Sequence, residues 1–229
     1  MKLTGIKAIT FDADGTLWDF EKSMRIALHE ILKEIRAYHP ESSESLDIKK
    51  LIEIRENVSK EQEGKITDHI ELRHLAFKET LRYIGIDDDR LASHLCENYI
   101  KCRYSVLEPY DDVKKTLDAL KDKYTLGLLS NGHTSPRHCS LDHYLAFTIF
   151  SKDCGIQKPD LAIFILARQK AGCSKDELLH VGDSLEDDIA GARAAGIRCI
   201  WLNRKKIKNA TGIMPDHEIT SLNELLDIL

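Results

Sequence analysis

The chain has 229 residues, of which 42% are hydrophobic and 31% are charged, and its formal net charge is −5. This composition is typical of an ordinary soluble globular protein, and the acidic balance argues against general binding to nucleic acid or to an anionic membrane, because both need a basic face. No apolar run approaches the roughly 20 residues that a membrane helix requires, and Met1 leads almost at once into an apolar stretch, without a signal peptide.

The six cysteines are scattered along the chain and form no CxxC pair. This spacing disfavours a zinc site, and in a chain of this length it also disfavours a disulfide scaffold. We therefore expect reduced thiols and a cytoplasmic protein.

Residues 6–11 are mostly β-branched or aromatic, which predicts a buried strand. Asp12 and Asp14 follow directly, and Gly15 permits a tight turn after them. A buried strand that delivers two carboxylates to its end is costly unless a cation or a reaction needs them. The alternative is a solvated acidic turn, since Asp and Gly favour turns.

After Leu17 the pattern becomes helical. Apolar residues from Met24 to Ile35 fall on one helical stripe, and further helices are predicted at about 47–60, 68–84 and 88–106. No strand signal interrupts this block. We expect an all-α domain, residues 17–105, inserted after the first strand.

From residue 106 onwards helices alternate with strands. Strands are predicted near 124–129, 146–150, 178–181 and 197–202. This alternation predicts an α/β fold, a Rossmann-like and mostly parallel sheet with helices on both faces. The core domain would comprise residues 1–16 and 106–229. We expect the basic residues at 203–208 to form a solvated loop.

The polar clusters of the chain come where predicted strands end. Asp12 and Asp14 end the first strand, Ser130 and Asn131 end the second, and Asp183 ends a later one, while Lys158 precedes a helix. Because the carboxyl ends of parallel strands share one edge of a sheet, these side chains can converge on a single site. His180 lies within a strand and is expected to be a hydrogen-bonded core residue.

Four motifs in this order resemble the haloacid dehalogenase superfamily of hydrolases. They are Asp12-Ala-Asp14-Gly-Thr16-Leu, Ser130-Asn131-Gly, Lys158-Pro and Gly182-Asp183-Ser-Leu-Glu-Asp-Asp188. The inserted helical block resembles the first class of cap domain in that superfamily. Trp18 would either line the entrance between cap and core or pack against the first cap helix.

The resemblance implies a role for each motif residue. Asp12 would be the nucleophile and Asp14 the general acid and base. Lys158 would add positive charge beside the nucleophile, and Ser130 with the backbone amide of Asn131 would hold phosphoryl oxygens. Thr16 would brace the loop at the phosphate-binding side.

The resemblance also implies Mg²⁺ as the cofactor. Its ligands would be the carboxylates of Asp12 and Asp183 and the backbone carbonyl of Asp14, and Asp188 would orient metal-bound water. Mg²⁺ suits such a site because it takes few protein oxygens and shares its remaining coordination positions with phosphate and water.

The function implied is Mg²⁺-dependent hydrolysis of a small phosphorylated metabolite, with phosphoglycolate, sugar phosphates and nucleoside monophosphates as candidate substrates. A phosphomutase of the same fold and a phosphate-binding regulatory module without turnover are the alternatives. We expect no nucleic-acid or membrane partner, and a monomer or homodimer.

Overall fold

The computed structural model describes residues 2–62, 64–66 and 68–229, and the chain forms two compact units. The core unit comprises Met1–Asp19 and Glu108–Leu229, and the helical unit comprises Phe20–Leu107. The expectation about a signal peptide concerns the start of the chain, and Met1 lies outside the described residues. In the ranges that the structure describes, no helix combines the length and the apolar composition needed to cross a membrane.

The helical unit contains the helices α1 (Phe20–Tyr38), α2 (Ile48–Glu61), α3 (His69–Tyr83) and α4 (Asp89–Ser105). The bounds of α2, α3 and α4 lie within one residue of the sequence expectation, and α1 contains the predicted apolar stripe. The apolar stripe of α1 is buried and packs into one hydrophobic cluster with residues of α2, α3 and α4. An aspartate caps the start of each of the last three helices by accepting backbone N–H groups: Asp47, Asp68 and Asp88. Helical periodicity and the N-cap residues therefore indicate the same start for α2, α3 and α4.

The core unit is built on a six-stranded parallel sheet in the order β3-β2-β1-β4-β5-β6. Its strands are β1 (Ala8–Phe11), β2 (Thr125–Ser130), β3 (Phe147–Phe150), β4 (Leu178–Gly182), β5 (Arg198–Leu202) and β6 (His217–Ile219). The predicted α/β class is confirmed. The sequence did not predict β6, because three residues are too short for a periodic signal.

Helices cover the sheet of the core unit: α5 (Val113–Leu120), α6 (Ser151–Cys154), α7 (Leu161–Ala171), α8 (Gly191–Ala194) and α9 (Leu225–Ile228). A π-helical turn, Leu185–Ala190, stands between β4 and α8. Such wide turns occur frequently at functional sites. Strand β1 lies between β2 and β4, so the residues after it emerge at the middle of the carboxyl edge.

The expectation of a solvated loop at 203–208 is wrong for its first two residues. Asn203 is buried, and Arg204 donates to both carboxylate oxygens of Asp112 at 2.9 Å. Arg204 also donates to the carbonyl of Thr16 at 2.9 Å, and its guanidinium lies 4.0 Å from the ring centroid of Tyr110. This side chain therefore ties the loop after β1 to the start of α5.

Asp112 is the acceptor at the centre of this contact. Besides Arg204, it accepts from the hydroxyl of Ser221 at 2.7 Å and the backbone N–H of Leu222 at 2.8 Å. Burial alone would raise the pKa of Asp112, but these hydrogen bonds outweigh burial and lower the pKa. A lowered pKa means that the ionised form stabilises the fold, a contribution present above the unfolded pKa of about 4 and lost as pH falls further.

We predict that Asp112→Asn lowers the free energy of unfolding by about 1–3 kcal/mol at pH 7, because the guanidinium of Arg204 loses its charged acceptor. The difference from wild type should shrink as pH is lowered below about 4. Urea unfolding at several pH values measures both effects. The neighbouring exposed Asp111→Asn is the matched control and should stay within about 0.5 kcal/mol of wild type. Equal destabilisation by both variants would contradict the assignment.

Candidate active site

A cavity of about 160 Å³ opens at the carboxyl edge of the sheet, within the core unit. Seven of the eight residues singled out from the sequence line it: Asp12, Asp14, Ser130, Asn131, Lys158, Asp183 and Asp188. Ser184 and Asp187 also contribute to its wall. Thr16 does not line this cavity. Its side chain is fully buried, and its hydroxyl has no hydrogen-bond partner within the described ranges.

The ammonium of Lys158 lies between two carboxylates. Its Nζ is 2.6 Å from Oδ1 of Asp12 and 2.6 Å from Oδ1 of Asp188, and all three side chains are at least nine-tenths buried. Burial alone would lower the pKa of Lys158, but attraction to Asp12 and Asp188 outweighs it and raises the pKa. Removing one partner of such a buried pair typically costs about 3–5 kcal/mol, because the other charge remains uncompensated. Lys158 is therefore charged and fixed in place.

His180 supports the same cluster from inside the sheet, as the sequence predicted for a hydrogen-bonded core residue. Its Nε2 is 3.0 Å from Oδ1 of Asp188, and its Nδ1 is 3.0 Å from the hydroxyl of Thr10. Burial lowers the pKa of His180, against the opposing effect of Asp188. The pKa of Asp188 is held below its ordinary range, because Lys158 and then His180 outweigh the effect of burial.

The cavity holds more negative charge than Lys158 can balance, since five aspartates and one lysine line it. Burial raises the pKa of Asp12 well above its ordinary value, and the nearby carboxylates of Asp188 and Asp183 add to the rise against the opposing effect of Lys158. Burial and the charge of Asp188 likewise raise the pKa of Asp183 to about 7. Bringing a cation to these groups would relieve their repulsion.

The donor set fits a hard divalent cation. Oxygens of Asp12, Asp183 and Asp188 lie within 4.8 Å of one another. Carboxylate oxygens are the ligands that Mg²⁺ prefers in proteins. Both charge and donor chemistry therefore fit a metal site at Asp12 and Asp183.

Two glycines allow the acidic side chains to approach the backbone. Gly15 has a positive φ of 86°, and a Cβ added there would lie 2.3 Å from Oδ2 of Asp183. A Cβ at Gly182 would lie 2.2 Å from Cγ of Asp188. Real Cβ atoms do not come so close to other atoms, so any larger residue would displace one of these carboxylates.

Asn131 acts through its side chain as well as through its place at the end of β2. Its Oδ1 accepts the backbone N–H of Lys158 at 2.8 Å, and its Nδ2 donates to the Lys158 carbonyl at 2.9 Å. Ser151 adds a third contact by donating to Oδ1 at 2.8 Å. The sequence motif predicted a role only for the backbone amide of Asn131, and not this pair of side-chain hydrogen bonds to Lys158. The available sequence signal was an asparagine, whose side-chain amide can pair with both backbone groups of the residue before a proline.

Asp14 is oriented by Trp18. The indole Nε1 donates to Oδ1 of Asp14. Trp18 is fully buried and forms an isolated β-bridge with Pro109. A Cβ added at Gly132 would lie 2.8 Å from Oδ2 of Asp14, so this glycine leaves room beside the second oxygen. Ser130 is buried next to it, and its hydroxyl accepts the N–H of Gly132 at 2.9 Å. Trp18 is therefore part of the site, a contact that neither sequence alternative included.

The arrangement defines an α/β enzyme with a carboxylate-rich centre at its strand ends. Comparison with known proteins agrees with it: residues 6–196 match the family model of haloacid dehalogenase-like hydrolases. The glyceraldehyde 3-phosphate phosphatase of Methanopyrus kandleri is 30% identical, with 98% of this chain and 97% of the relative covered. The pyrimidine 5′-nucleotidase PynA of Streptococcus pneumoniae is also 30% identical, covering 97% and 94%.

Among solved structures, the 2-haloacid dehalogenase of Pseudomonas syringae pv. Tomato DC3000 superposes with a TM-score of 0.77. It is 31% identical, and the match covers 97% of each chain. The chain belongs to the haloacid dehalogenase-like hydrolases and is an enzyme, as its motifs predicted.

We predict that Asn131→Ala lowers the free energy of unfolding by about 1–3 kcal/mol, because two backbone groups of Lys158 lose their partners. Lys158 should also react faster with acetic anhydride, relative to the exposed Lys101, as measured by mass spectrometry. Asn209→Ala is a control that removes similar side-chain contacts to a loop, away from the cavity. Unchanged stability together with a protected Lys158 would show that Asn131 does not hold it.

Proposed function

We propose that this protein is a Mg²⁺-dependent phosphatase of the cytoplasm that hydrolyses a small phosphorylated metabolite through an aspartyl-phosphate on Asp12. The proposal rests on one observation above all: the buried ammonium of Lys158 lies 2.6 Å from the carboxylate of Asp12 in a cavity that Asp14 and Asp183 also line. A carboxylate can attack an anionic phosphoryl group only where positive charge offsets both partners, and this site provides such charge.

The reaction class has support from the relatives. The proteins of M. kandleri and S. pneumoniae named above are phosphatases of a sugar phosphate and of nucleotides. Asp14 gives the same indication, because the true dehalogenases of the superfamily lack an acid at this position. As a phosphoric monoester hydrolase, the protein would take phosphoglycolate, a sugar phosphate or a nucleoside monophosphate.

In the proposed site the carboxylates of Asp12 and Asp183 and the backbone carbonyl of Asp14 would hold the Mg²⁺. A bound ion would supply positive charge to the phosphoryl oxygens and to the attacking carboxylate. Asp188 acts through Lys158, since its Oδ1 accepts from that ammonium and its Oδ2 accepts the N–H of Ser184. Asp188 is thus a positioning residue for the ammonium of Lys158, which lies beside the proposed nucleophile Asp12.

The residues of the chain account for both halves of the reaction. A carboxylate oxygen of Asp12 forms a bond to phosphorus while the bond from phosphorus to the leaving oxygen breaks, and Asp14 gives its proton to that oxygen. Asp14 then takes a proton from water, whose oxygen bonds to phosphorus and releases Asp12 and inorganic phosphate. Such positioned acid–base groups typically contribute about 10²–10⁴-fold in rate.

Ser130 and the helical unit complete the proposal. The hydroxyl of Ser130 and the backbone amide of Asn131 donate to phosphoryl oxygens, which are most negative in the transition state. Thr16 supports the loop from behind, through its carbonyl contact with Arg204. The helical unit follows the Asp12 loop directly in the chain, and we assign it the role of a cap over the leaving group.

We predict that Asp12→Asn lowers the rate of hydrolysis of p-nitrophenyl phosphate by about 10³-fold or more, because an amide cannot form the phosphoryl intermediate. The substitution keeps the shape of the side chain, so the protein should still fold, as circular dichroism would show. Asp111→Asn, in an exposed turn, is the control and should retain wild-type turnover.

Retained activity in Asp12→Asn would contradict the nucleophile assignment. Single-turnover assays of the wild type on a panel of phosphorylated metabolites separate the alternatives. Release of free phosphate supports a phosphatase, whereas transfer within the substrate without release would support a phosphomutase. No turnover across the panel would support a binding module.

We predict that Mg²⁺ binds about tenfold more weakly at pH 6 than at pH 8, measured by titration calorimetry. The pKa of Asp183 is raised to about 7, so below this pH the cation must displace a proton to bind. Asp183→Asn should bind weakly at both pH values and show a smaller dependence on pH. Equal wild-type affinity at pH 6 and pH 8 would remove Asp183 from the metal site.

A further inference from the structure

The helical unit contains a cluster of arginines with aromatic neighbours. Arg55 on α2, Arg73 on α3 and Arg103 on α4 are close enough that the charges of Arg55 and Arg103 both act on Arg73. The guanidinium of Arg73 lies 5.9 Å from the ring centroid of Tyr99. Those of Arg55 and Arg103 lie 5.7 and 5.3 Å from the ring centroid of Phe20. Three like charges thus share one region of this unit.

In the part of the chain that the structure describes, two of these arginines lack a negative partner. Within residues 2–62, 64–66 and 68–229, neither Arg55 nor Arg73 forms an ion pair with a carboxylate. Arg73 is only 7% exposed, and its Nη1 is buried with no hydrogen-bond partner. Within the described residues, Nε of Arg55 and the hydroxyl of Tyr99 are also buried with no hydrogen-bond partner. Tyr99 is 1% exposed. Three buried polar groups are therefore unsatisfied in one cluster.

The aromatic contacts do not offset this cost. The free energy gained from a cation–π contact is smaller than the free energy that burying an ion costs, even after relaxation. Burial, and then repulsion from Arg55, lowers the pKa of Arg73 to about 10. At neutral pH the guanidinium still carries its charge. Among the described residues, Arg55 and Arg73 therefore lack a compensating anion.

We propose that Arg55, Arg73 and the hydroxyl of Tyr99 form an anion-binding site in the helical unit, which serves catalysis by recognising a carboxylate or phosphate group. Guanidinium presents paired N–H donors that match two oxygens of such a group, and a hydroxyl can donate to a third contact. A bound anion would satisfy the buried donors and separate the like charges.

The anion has two sources of the same chemistry. It can be the far, non-reacting end of the phosphorylated substrate, which would narrow the proposed substrate class to phosphate esters with a second anionic group. It can equally be a free anion that acts as an effector. The second arm of the experiment distinguishes them.

The first arm measures malonate binding to the full chain without Mg²⁺, by calorimetry and by melting temperature, and does not depend on the phosphatase proposal. Wild type should bind malonate and melt at a higher temperature in its presence. Arg73→Met should weaken binding about 10–100-fold. In buffer without malonate its melting temperature should be unchanged or higher, because a buried unpaired charge has been removed.

Controls make this arm decisive. Arg90→Met removes an exposed arginine at the start of α4 and should bind malonate as wild type does. Ser130→Ala tests whether malonate binds in the core cavity instead. Arg55→Met, at a half-buried position, gives the answer if Arg73→Met does not fold. Wild-type malonate affinity in both arginine variants, or a loss only in Ser130→Ala, would overturn the proposal.

The second arm compares hydrolysis of phosphoglycolate and of ethyl phosphate, which lacks the carboxylate, and it rests on the proposed function. If the substrate supplies the anion, Arg73→Met should lower kcat/KM for phosphoglycolate about 10–100-fold and leave ethyl phosphate within about threefold. If an effector supplies it, malonate should change wild-type hydrolysis of ethyl phosphate, and Arg73→Met should lose this response. Turnover without either response would overturn the proposal, whereas no turnover of any phosphate ester would contradict the phosphatase instead.

Discussion

The buried ammonium of Lys158 is the interaction on which the site depends. It joins Asp12, at the end of β1, to Asp188, in the π-helical turn after β4. Lys158 is 146 residues from Asp12 and 30 residues from Asp188 in the sequence. Burying three charges is costly, and the cost is recovered only when each ion is close to its partner and held by further hydrogen bonds. Asn131 fixes the backbone of Lys158, and His180 and Ser184 hold Asp188. The carboxylate of Asp12 is therefore oriented by a network of buried hydrogen bonds and ion pairs.

The backbone makes this network possible. Strand β1 lies at the middle of the sheet, so its carboxyl end is flanked by the ends of β2 and β4. Gly15 and Gly182 have no side chain where Asp183 and Asp188 approach. The wide turn Leu185–Ala190 brings Asp188 back towards Lys158 rather than along a regular helix. Local conformation and charge pairing thus favour the same structure, which is the consistency expected of a sequence that specifies one fold.

The sequence predicted the parts that depend on periodicity and on topology. Strand ends in a parallel sheet share one edge, so the convergence of Asp12, Lys158 and Asp183 could be expected from their positions alone. Side-chain orientation could not be predicted: the amide clamp of Asn131 on Lys158 and the indole contact of Trp18 with Asp14 depend on rotamers. Arg204 was assigned to a solvated loop because a basic run has no periodicity, yet an acid 92 residues away, Asp112, pairs with it. Metal ligation and the role of each site residue remain predictions.

Each unit holds a local cluster of like charges, and the two clusters have opposite signs. Five aspartates against one lysine line the core cavity, and Arg55 and Arg73 lie in the helical unit with buried donors unsatisfied. A domain is stable by only about 5–15 kcal/mol, so uncompensated buried charge at a cost of several kcal/mol is a large fraction of that margin. Replacing these buried charged residues with apolar residues would remove this free-energy cost. These two clusters of like charge are the observations on which the proposed cation site in the core unit and the proposed anion site in the helical unit depend.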